Sequence, residues 1–436
     1  MSELSSKRLA RLKSRSTGLV AALDIGCSKT TCLIARPDPD HPRRINILGA
    51  GRQQTRGFDG GTITDMEGLE RSIRLAVEDA EREAGEPISE VILGITGPKL
   101  SSRLLSGSIE ISGRTISARD ARRLQAQVLA RAAQLPGGRQ EQVLSAWPVL
   151  YTIDRAAGRV RQPVGMIAST LSVKLSIVSA PSAIVQNLIE CVGRAHLGVC
   201  QLVPSAIASG AGTLIDDEIE NGAVCIDLGS GVTAVSVYLH GSPAWLGLVP
   251  AGGSHVTSDI AQGIGTTFAA AERLKTAYGT ADLEGPGLAE RIEAPRLGDD
   301  GRLHASRLDR AEIARIIAPR IEETFEMVRR LLAASDVKTV LPQRVVLTGG
   351  ASQLPGVREV AGRILGAPVR LGRPVLAQSL GEQLATPAFS TASGLLLYSE
   401  LGFADAARAG ASPLDTEAEG GRGWIGLALH WLKENF

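Results

Sequence analysis

Two short segments share one pattern, which restricts the possible folds more than any other feature of the chain. Residues Leu23–Thr30 and Ile226–Thr233 each contain an apolar strand end, an Asp, an apolar residue, a Gly and a small polar turn before a second strand. The two aspartates, Asp24 and Asp227, lie 203 positions apart. A repeat of this kind predicts two related halves that face one cleft.

The residue types in these turns suit phosphate binding. Small residues let backbone N–H groups converge on an anion. A carboxylate at the end of the first strand can hold a water molecule of hydrated Mg²⁺, which seldom gives up its whole shell. The predicted phosphate-binding residues are Gly26, Cys27, Ser28 and Lys29 in the first turn and Gly229, Ser230 and Gly231 in the second, with Asp24 and Asp227 as candidates for positioning Mg²⁺ and phosphate.

Two other nucleotide-binding motifs are excluded by context. The chain has no GxxxxGK[ST] sequence, so it has no P-loop. Gly229 and Gly231 lack the third glycine of a dinucleotide fingerprint, and the residues after them favour a strand, not a helix. For either turn alone, an ordinary glycine-containing hairpin remains the alternative.

A second group of residues is predicted on the nucleoside side of the cleft. Val345–Thr348 is an apolar strand that leads into Gly349, Gly350 and Ala351, where glycines permit close approach of a base or ribose. Glu272 and Lys275 lie three apart on a predicted helix, so both can face one site, although a solvated ion pair is the alternative. Gly252 and Gly253 offer one more backbone turn near the phosphates.

Composition excludes several classes of function. A net charge of +1 gives no reason to expect nucleic acid as a partner. The five cysteines form no CxxC pair, which suits a reducing compartment. No run of about 18 apolar residues is present, so no membrane-spanning helix is expected. The basic N-terminus has no apolar segment after it, so residues 1–17 are predicted to be a disordered tail rather than a secretory signal; contact with acidic lipid headgroups is the alternative.

The last fourteen residues have a different pattern from the polar, Ala- and Gly-rich stretch before them. At about 100° per residue, the apolar side chains of Gly423–Phe436 fall on one broad arc of a helix. Those predicted to contact membrane lipid are Trp424, Ile425, Leu427, Trp431 and Leu432. The alternative is a helix that packs on the protein's own core. The only cations in residues 423–436 are Lys433 and, when protonated, His430. One copy of this helix alone should therefore bind a membrane weakly.

In their order along the chain, these motifs resemble those of the actin-like ATPase superfamily, and within it the chain resembles the FtsA family of bacterial cell-division proteins. The matching segments span nearly all of Gly18–Phe436 and are Val256–Ala261, Ala271–Lys275, Val346–Ala351, Gln162–Gly165 and Ser390–Leu395. The resemblance implies an α/β fold of two duplicated ribonuclease-H-like halves with an inserted α+β subdomain, 1C.

The resemblance also implies a division into subdomains. The expected parts are a tail (1–17), subdomain 1A (18–97, 175–202 and 372–402), subdomain 1C (98–174), subdomain 2A (203–255 and 337–371), subdomain 2B (256–336), a flexible linker (403–422) and a membrane-targeting helix (423–436).

The function implied by the resemblance is that of an ATP- and Mg²⁺-binding protein that polymerises into protofilaments. It would tether the C-terminal tail of FtsZ, through subdomain 2B, to the cytoplasmic face of the inner membrane at the septum and recruit later division proteins. Arg307 and Arg320 are the predicted contacts for an acidic peptide. A pilus-assembly adaptor of related fold, or an actin-fold ATPase or kinase, is the alternative.

Two residues depart from the pattern of hydrolytic relatives. Ser205 stands where those relatives place Glu or Gln to orient the attacking water, and Ala234 stands at a usually acidic or polar position. Phosphoryl transfer depends on such positioning. We therefore expect nucleotide binding with weak ATPase activity at most.

Overall fold

The computed structural model describes residues 18–38, 45–135, 140–154 and 158–398. The predicted N-terminal tail, the linker and the C-terminal helix with Trp424, Ile425, Leu427, Trp431 and Leu432 lie outside the described residues.

Nineteen strands and eleven α-helices make up the described part of the chain. The strands are β1 (Val20–Ile25), β2 (Lys29–Pro37), β3 (Ile45–Gln54), β4 (Phe58–Asp59), β5 (Thr62–Ile63), β6 (Glu90–Ile95), β7 (Ser101–Thr115), β8 (Glu141–Ile153), β9 (Ile167–Pro181), β10 (Gly198–Pro204), β11 (Ala223–Leu228), β12 (Thr233–Leu239), β13 (Ser242–Val249), β14 (Arg291–Glu293), β15 (Arg296–Leu297), β16 (Leu303–His304), β17 (Arg307–Asp309), β18 (Val345–Thr348) and β19 (Val369–Leu371). The helices are α1 (Met66–Ala84), α2 (Ala118–Gln134), α3 (Ser182–Arg194), α4 (Ser205–Ala211), α5 (Asp216–Asn221), α6 (Gly253–Ile264), α7 (Phe268–Tyr278), α8 (Arg310–Ala333), α9 (Val357–Leu365), α10 (Ala377–Leu384) and α11 (Ser390–Tyr398).

The two large sheets have the same topology. In the first, β1, β2 and β3 form an antiparallel meander, and β6 and then β10 join β1 in parallel. In the second, β11, β12 and β13 form the meander, and β18 and then β19 join β11 in parallel. The predicted duplication is therefore confirmed. It places Asp24 and Asp227 at equivalent points, near the ends of β1 and β11.

Helix α1 shows how the sequence sets the packing in the first half. Asp65 caps its N-terminus by accepting a hydrogen bond from the Glu67 amide, and Gly85 ends it in the left-handed conformation. The helix lies so close to β3 that a Cβ atom on Gly51 would be 1.8 Å from the Ala76 carbonyl oxygen. Only glycine fits at this crossing.

The segment between β6 and β10 includes a separate small domain. Its sheet has the order β7–β9–β8, and α2 packs on it over a core of its own. Ser117 and Asp120 form a capping box at the start of α2. Leu175–Ser179, which the sequence assigns to the start of the second part of subdomain 1A, forms a strand. It is the end of β9 and pairs with both β7 and β8, and its alternating pattern does not specify which sheet it joins.

Helices α4 and α11 cross at two glycines and join the two halves. A Cβ atom on Gly394 would lie 1.7 Å from the Ala208 carbonyl oxygen, and one on Gly212 would lie 2.2 Å from the Ser390 carbonyl oxygen. The two helix backbones are therefore in direct contact. None of the described helices has the length and apolar content needed to cross a bilayer.

Candidate functional site

The two predicted phosphate turns have the same backbone geometry. In the first, the Gly26 N–H donates to the Lys29 carbonyl oxygen at 3.0 Å. In the second, the Gly229 N–H donates to the Val232 carbonyl oxygen at 3.1 Å. Each glycine stands two residues after its aspartate, so the repeat in the sequence is also a repeat in structure.

The two turns meet across one cleft. A Cβ atom on Gly231 would lie 2.7 Å from the Cys27 sulfur, so the tips of the two hairpins touch. The cleft has a volume of about 740 Å³, within the range of pockets that hold cofactors.

Nearly all the predicted cleft residues line this cavity. They are Asp24, Gly26, Cys27, Ser28, Lys29, Asp227, Gly229, Ser230, Gly231, Gly253, Glu272, Lys275, Gly349, Gly350 and Ala351, with Ser205 and Ala234. Gly252 packs behind the second turn, where a Cβ atom would be 2.4 Å from the Ser230 carbonyl oxygen.

The start of α6 supports the second turn from behind. The Gly253 N–H donates to the Gly229 carbonyl oxygen at 2.9 Å, and the Ser254 N–H and Oγ both donate to the Ser230 carbonyl oxygen. These bonds occupy the turn's carbonyl groups. The amide groups of Ser230 and Gly231, at the tip of the turn, can therefore bind an anion without competition from those oxygens.

Three ionisable groups share the floor of the cleft. Burial raises the pKa of Asp24 to about 7, a rise that Lys29 opposes and Asp227 reinforces. Burial also raises the pKa of Asp227, against a hydrogen bond from Thr391 and the charge of Lys29. Burial lowers the pKa of Lys29 to about 8, with Asp24 opposing the change. The free cleft therefore holds charges that a hydrated cation and a polyphosphate would help to compensate.

Lys29 is held by a segment for which the sequence predicted no role. Its Nζ donates to the Ala388 carbonyl oxygen and lies 3.6 Å from the centroid of the Phe389 ring. Thr391 Oγ1, in the same segment, donates to Asp227 Oδ2 at 2.9 Å. The hydroxyl groups of Ser390–Leu395 were a usable sequence signal, beyond the family resemblance of that segment.

Glu272 and Lys275 form one cluster at the wall of the cleft. Lys275 Nζ donates to Glu272 Oε2 at 2.7 Å, to Thr257 Oγ1 at 2.8 Å and to the Gly253 carbonyl oxygen at 3.0 Å. The Lys275 side chain is only 15% exposed, which argues against a simple solvated ion pair. Phe268, one helical turn before Glu272, also lines the cavity and was missed, although its i,i+4 spacing from Glu272 was a usable signal.

Gly349 connects the nucleoside side to the phosphate side. It has φ +89°, a conformation that favours glycine, and a Cβ atom there would lie 2.3 Å from Asp227 Oδ1. Its N–H donates to the Pro387 carbonyl oxygen at 3.2 Å. Any side chain at this position would displace the Asp227 carboxylate.

The two departures from the hydrolytic pattern also lie at the cleft. Ser205 is buried at the start of α4, and its hydroxyl has no hydrogen-bond partner within the described ranges. Ala234 lies opposite Asp227 in the β11–β12 register and brings no polar atom. Neither side chain carries a carboxylate or amide that could orient a water molecule.

The two predicted partner-binding arginines lie outside the cavity. Arg320 donates two hydrogen bonds to Asp259, at 2.5 and 3.0 Å, and one to Glu323. Its charge is therefore already compensated within the protein. The Arg307 side chain is 74% exposed and reaches Glu293 only at 4.0 Å.

Known structures with the same architecture define the class of this protein. One match is to a structure titled PilM-PilN type IV pilus biogenesis complex, with a TM-score of 0.62 and 17% identity. The match covers 87% of this chain and 98% of the other. MreB5 of Spiroplasma citri bound to ADP gives a TM-score of 0.52 at 11% identity, over 89% of this chain and 98% of MreB5. The same protein bound to AMPPNP gives 0.51, with 88% and 96% coverage. The chain has the actin-like ATPase fold, with an inserted domain.

Sequence matches then identify the family. The model for Cell division protein FtsA matches residues 224–394, and the model for the SHS2 domain inserted in FTSA matches residues 97–179. Cell division protein FtsA of Agrobacterium fabrum is 38% identical, covering 98% of this chain and 97% of the relative. The protein of that name from Escherichia coli K12 is 31% identical over 98% of this chain and 100% of its own. The chain belongs to the FtsA family of cell division proteins.

Proposed function

We propose that this protein binds Mg·ATP between its two halves and, as a membrane-associated polymer, tethers FtsZ filaments to the inner face of the cytoplasmic membrane. The observation that supports nucleotide binding is the pair of equivalent Asp-x-Gly turns in contact across a cleft of about 740 Å³. The nucleotide-bound MreB5 structures share the fold, which supports the same use of the cleft.

The residues present fit a hydrated Mg²⁺. Asp24 and Asp227 both have raised pKa values, and a cation would favour their ionised forms. Within the described part of the chain, no group of three or more His, Cys, Asp or Glu converges as a direct metal site. We therefore assign Asp24 and Asp227 to waters of the Mg²⁺ shell, where the ion would neutralise phosphate charge.

The other residues of the cleft have proposed roles in binding phosphate and nucleoside. Backbone N–H groups of Cys27, Ser28, Ser230 and Gly231 would hold phosphate oxygens, and Lys29 would add its charge. Gly26 and Gly229 would shape the two turns, since their own N–H groups donate within them. Glu272, Lys275, Gly349, Gly350 and Ala351 would contact the nucleoside, with Gly252 and Gly253 supporting the second turn. The subdomain boundaries predicted from the sequence remain part of this proposal.

We expect slow turnover of bound ATP. Ser205, at the position where hydrolytic relatives orient water, and Ala234, at a usually acidic or polar position, place no carboxylate or amide beside the cleft. Phosphate release under multiple-turnover conditions should stay below the range of about 1–100 s⁻¹ typical of kinases. A rate within that range would show that another group positions the water.

The membrane part of the proposal depends on the helix predicted over residues 423–436. Deletion of those residues should leave a folded protein that no longer floats with lipid vesicles, because the apolar arc is lost. Full-length protein should float most strongly with Mg·ATP, when polymerisation multiplies a weak anchor. The tether lies elsewhere if residues 1–422 still float.

The proposed binding of FtsZ is supported by the family match and by an exposed cationic side chain, that of Arg307. Arg307 lies on an exposed hairpin of the predicted subdomain 2B and can meet an acidic peptide, whereas Arg320 would first have to release Asp259. Recruitment of later division proteins at the septum belongs to the same proposal, and no nucleic acid partner is expected. A pilus-assembly role has only a likeness of fold at 17% identity in its favour.

A further inference from the structure

The inserted domain carries a positive charge that the rest of the chain does not share. Residues 97–179 contain twelve Lys or Arg and four Asp or Glu, a net charge of +8. The whole chain has a net charge of only +1, so the remaining residues are net acidic. The basic residues are therefore concentrated in one domain.

The outer face of α2 concentrates part of this charge. Arg119, Arg122 and Arg123 are exposed there. The helix has one acidic residue, Asp120, which is buried and accepts two hydrogen bonds from Arg114, at 2.6 and 2.7 Å. By contrast, the exposed arginines of α1 alternate with acids, as in the pair Arg74–Glu70 at 3.1 Å.

An apolar loop adjoins this arginine face. Val164, Met166 and Ile167 are 42%, 44% and 71% exposed. The loop is held next to the start of α2, because the Ile116 N–H donates to the Met166 carbonyl oxygen at 2.8 Å and the Gly165 N–H donates to the Ile116 carbonyl oxygen at 2.9 Å. Exposed apolar side chains beside a cluster of exposed cations are typical of surfaces that rest on a membrane.

We propose that this arginine-apolar face, formed by Arg119, Arg122, Arg123 and the loop 164–167, is a second membrane contact that binds anionic lipid headgroups. The guanidinium groups can bond phosphate oxygens, and the loop side chains can enter the headgroup boundary. An acidic peptide could bind the arginines but would leave the apolar loop exposed. The proposal rests on the proposed membrane association and extends it.

Tyr398, at the end of α11, contacts the inserted domain. It packs edge-on against Trp147 of β8, with ring centroids 6.5 Å apart. The arginine-apolar face would then supply the cationic attraction that the terminal helix lacks.

Vesicle binding by the full-length protein tests this directly. The variant Arg119→Gln, Arg122→Gln, Arg123→Gln should lose about 20- to 100-fold in affinity for vesicles with 30% phosphatidylglycerol, since each cation near an anionic surface contributes roughly fivefold. Binding to pure phosphatidylcholine vesicles should be unchanged. The control variant Arg71→Gln, Arg74→Gln, Arg82→Gln removes the same charge from α1 and should lose less than threefold.

Each other outcome is decisive. Equal losses from the two variants, or none, would overturn the proposal, and so would an equal loss on neutral vesicles. A loss of function in cells without any loss of vesicle binding would assign the face to a protein partner instead. If the wild-type full-length protein binds neither vesicle, the proposed membrane association itself fails, which is a separate result.

Discussion

Replacement of Asp24 by asparagine is expected to weaken Mg·ATP binding by at least about 100-fold, or roughly 2.7 kcal/mol, and yet to raise the melting temperature of the nucleotide-free protein. The variant loses the carboxylate that would hold the hydrated cation. It also removes a buried group that is costly to ionise in the free cleft. Binding and stability should therefore change in opposite directions.

The gain in stability should depend on pH in a defined window. Because the pKa of Asp24 is raised from 3.8 to about 7, the folded state holds the proton over that range and the unfolded state does not. The wild-type free energy of unfolding therefore loses this contribution progressively as pH rises from about 4 to about 7. Asp24→Asn should match the wild type near pH 4, become increasingly more stable than the wild type up to about pH 7, and keep that advantage at higher pH.

Calorimetric titration with Mg·ATP and thermal melts between pH 4 and 8 would measure both effects. Asp299→Asn, an exposed aspartate on the β15–β16 turn, removes the same charge far from the cleft and should change neither. Wild-type affinity for Mg·ATP in the Asp24→Asn variant would show that this carboxylate has no role in the cation site.

A single methyl group at Gly394 should be strongly destabilising. The new Cβ atom would meet the Ala208 carbonyl oxygen at 1.7 Å and the Gly212 nitrogen at 2.7 Å, so α4 and α11 could not keep their crossing. Overpacking of this kind costs about 3 kcal/mol or more when backbone has to move. We expect the melting temperature of Gly394→Ala to fall by about 5–10 °C.

Gly193 provides the matched control for that measurement. It also lies in a helix, but a Cβ atom there would meet nothing within 4 Å. Gly193→Ala should be neutral or stabilising by up to about 1 kcal/mol. Similar melting temperatures for the two variants would contradict the direct backbone contact between the halves.

The parts of the site that come from local sequence were predictable. The Asp-x-Gly turns specify a hairpin through their own residues, and Glu272 and Lys275 share a helix face through their spacing. The bounds of α1 and α2 follow from capping residues and apolar periodicity. Gly349 could be predicted as a site residue, because a Gly-Gly pair directly after a buried strand seldom has another role.

The parts that depend on distant pairing were not predictable. The bond from Lys29 to Ala388 joins residues 359 apart in the chain, and nothing near either residue indicates the other. The pairing of Arg320 with Asp259 likewise arises from the packing of α8 on α6. Leu175–Ser179 has the alternation of a strand, which gives its faces but not its neighbours.

Recruitment of FtsZ to lipid is the most direct measurement of the proposed function. FtsZ, this protein and anionic vesicles would be mixed with Mg·ATP and separated by flotation. FtsZ should float with the full-length protein and should remain at the bottom with residues 1–422, or when its own C-terminal tail is removed. If the full-length protein floats and intact FtsZ stays behind, the protein does not tether FtsZ to the membrane.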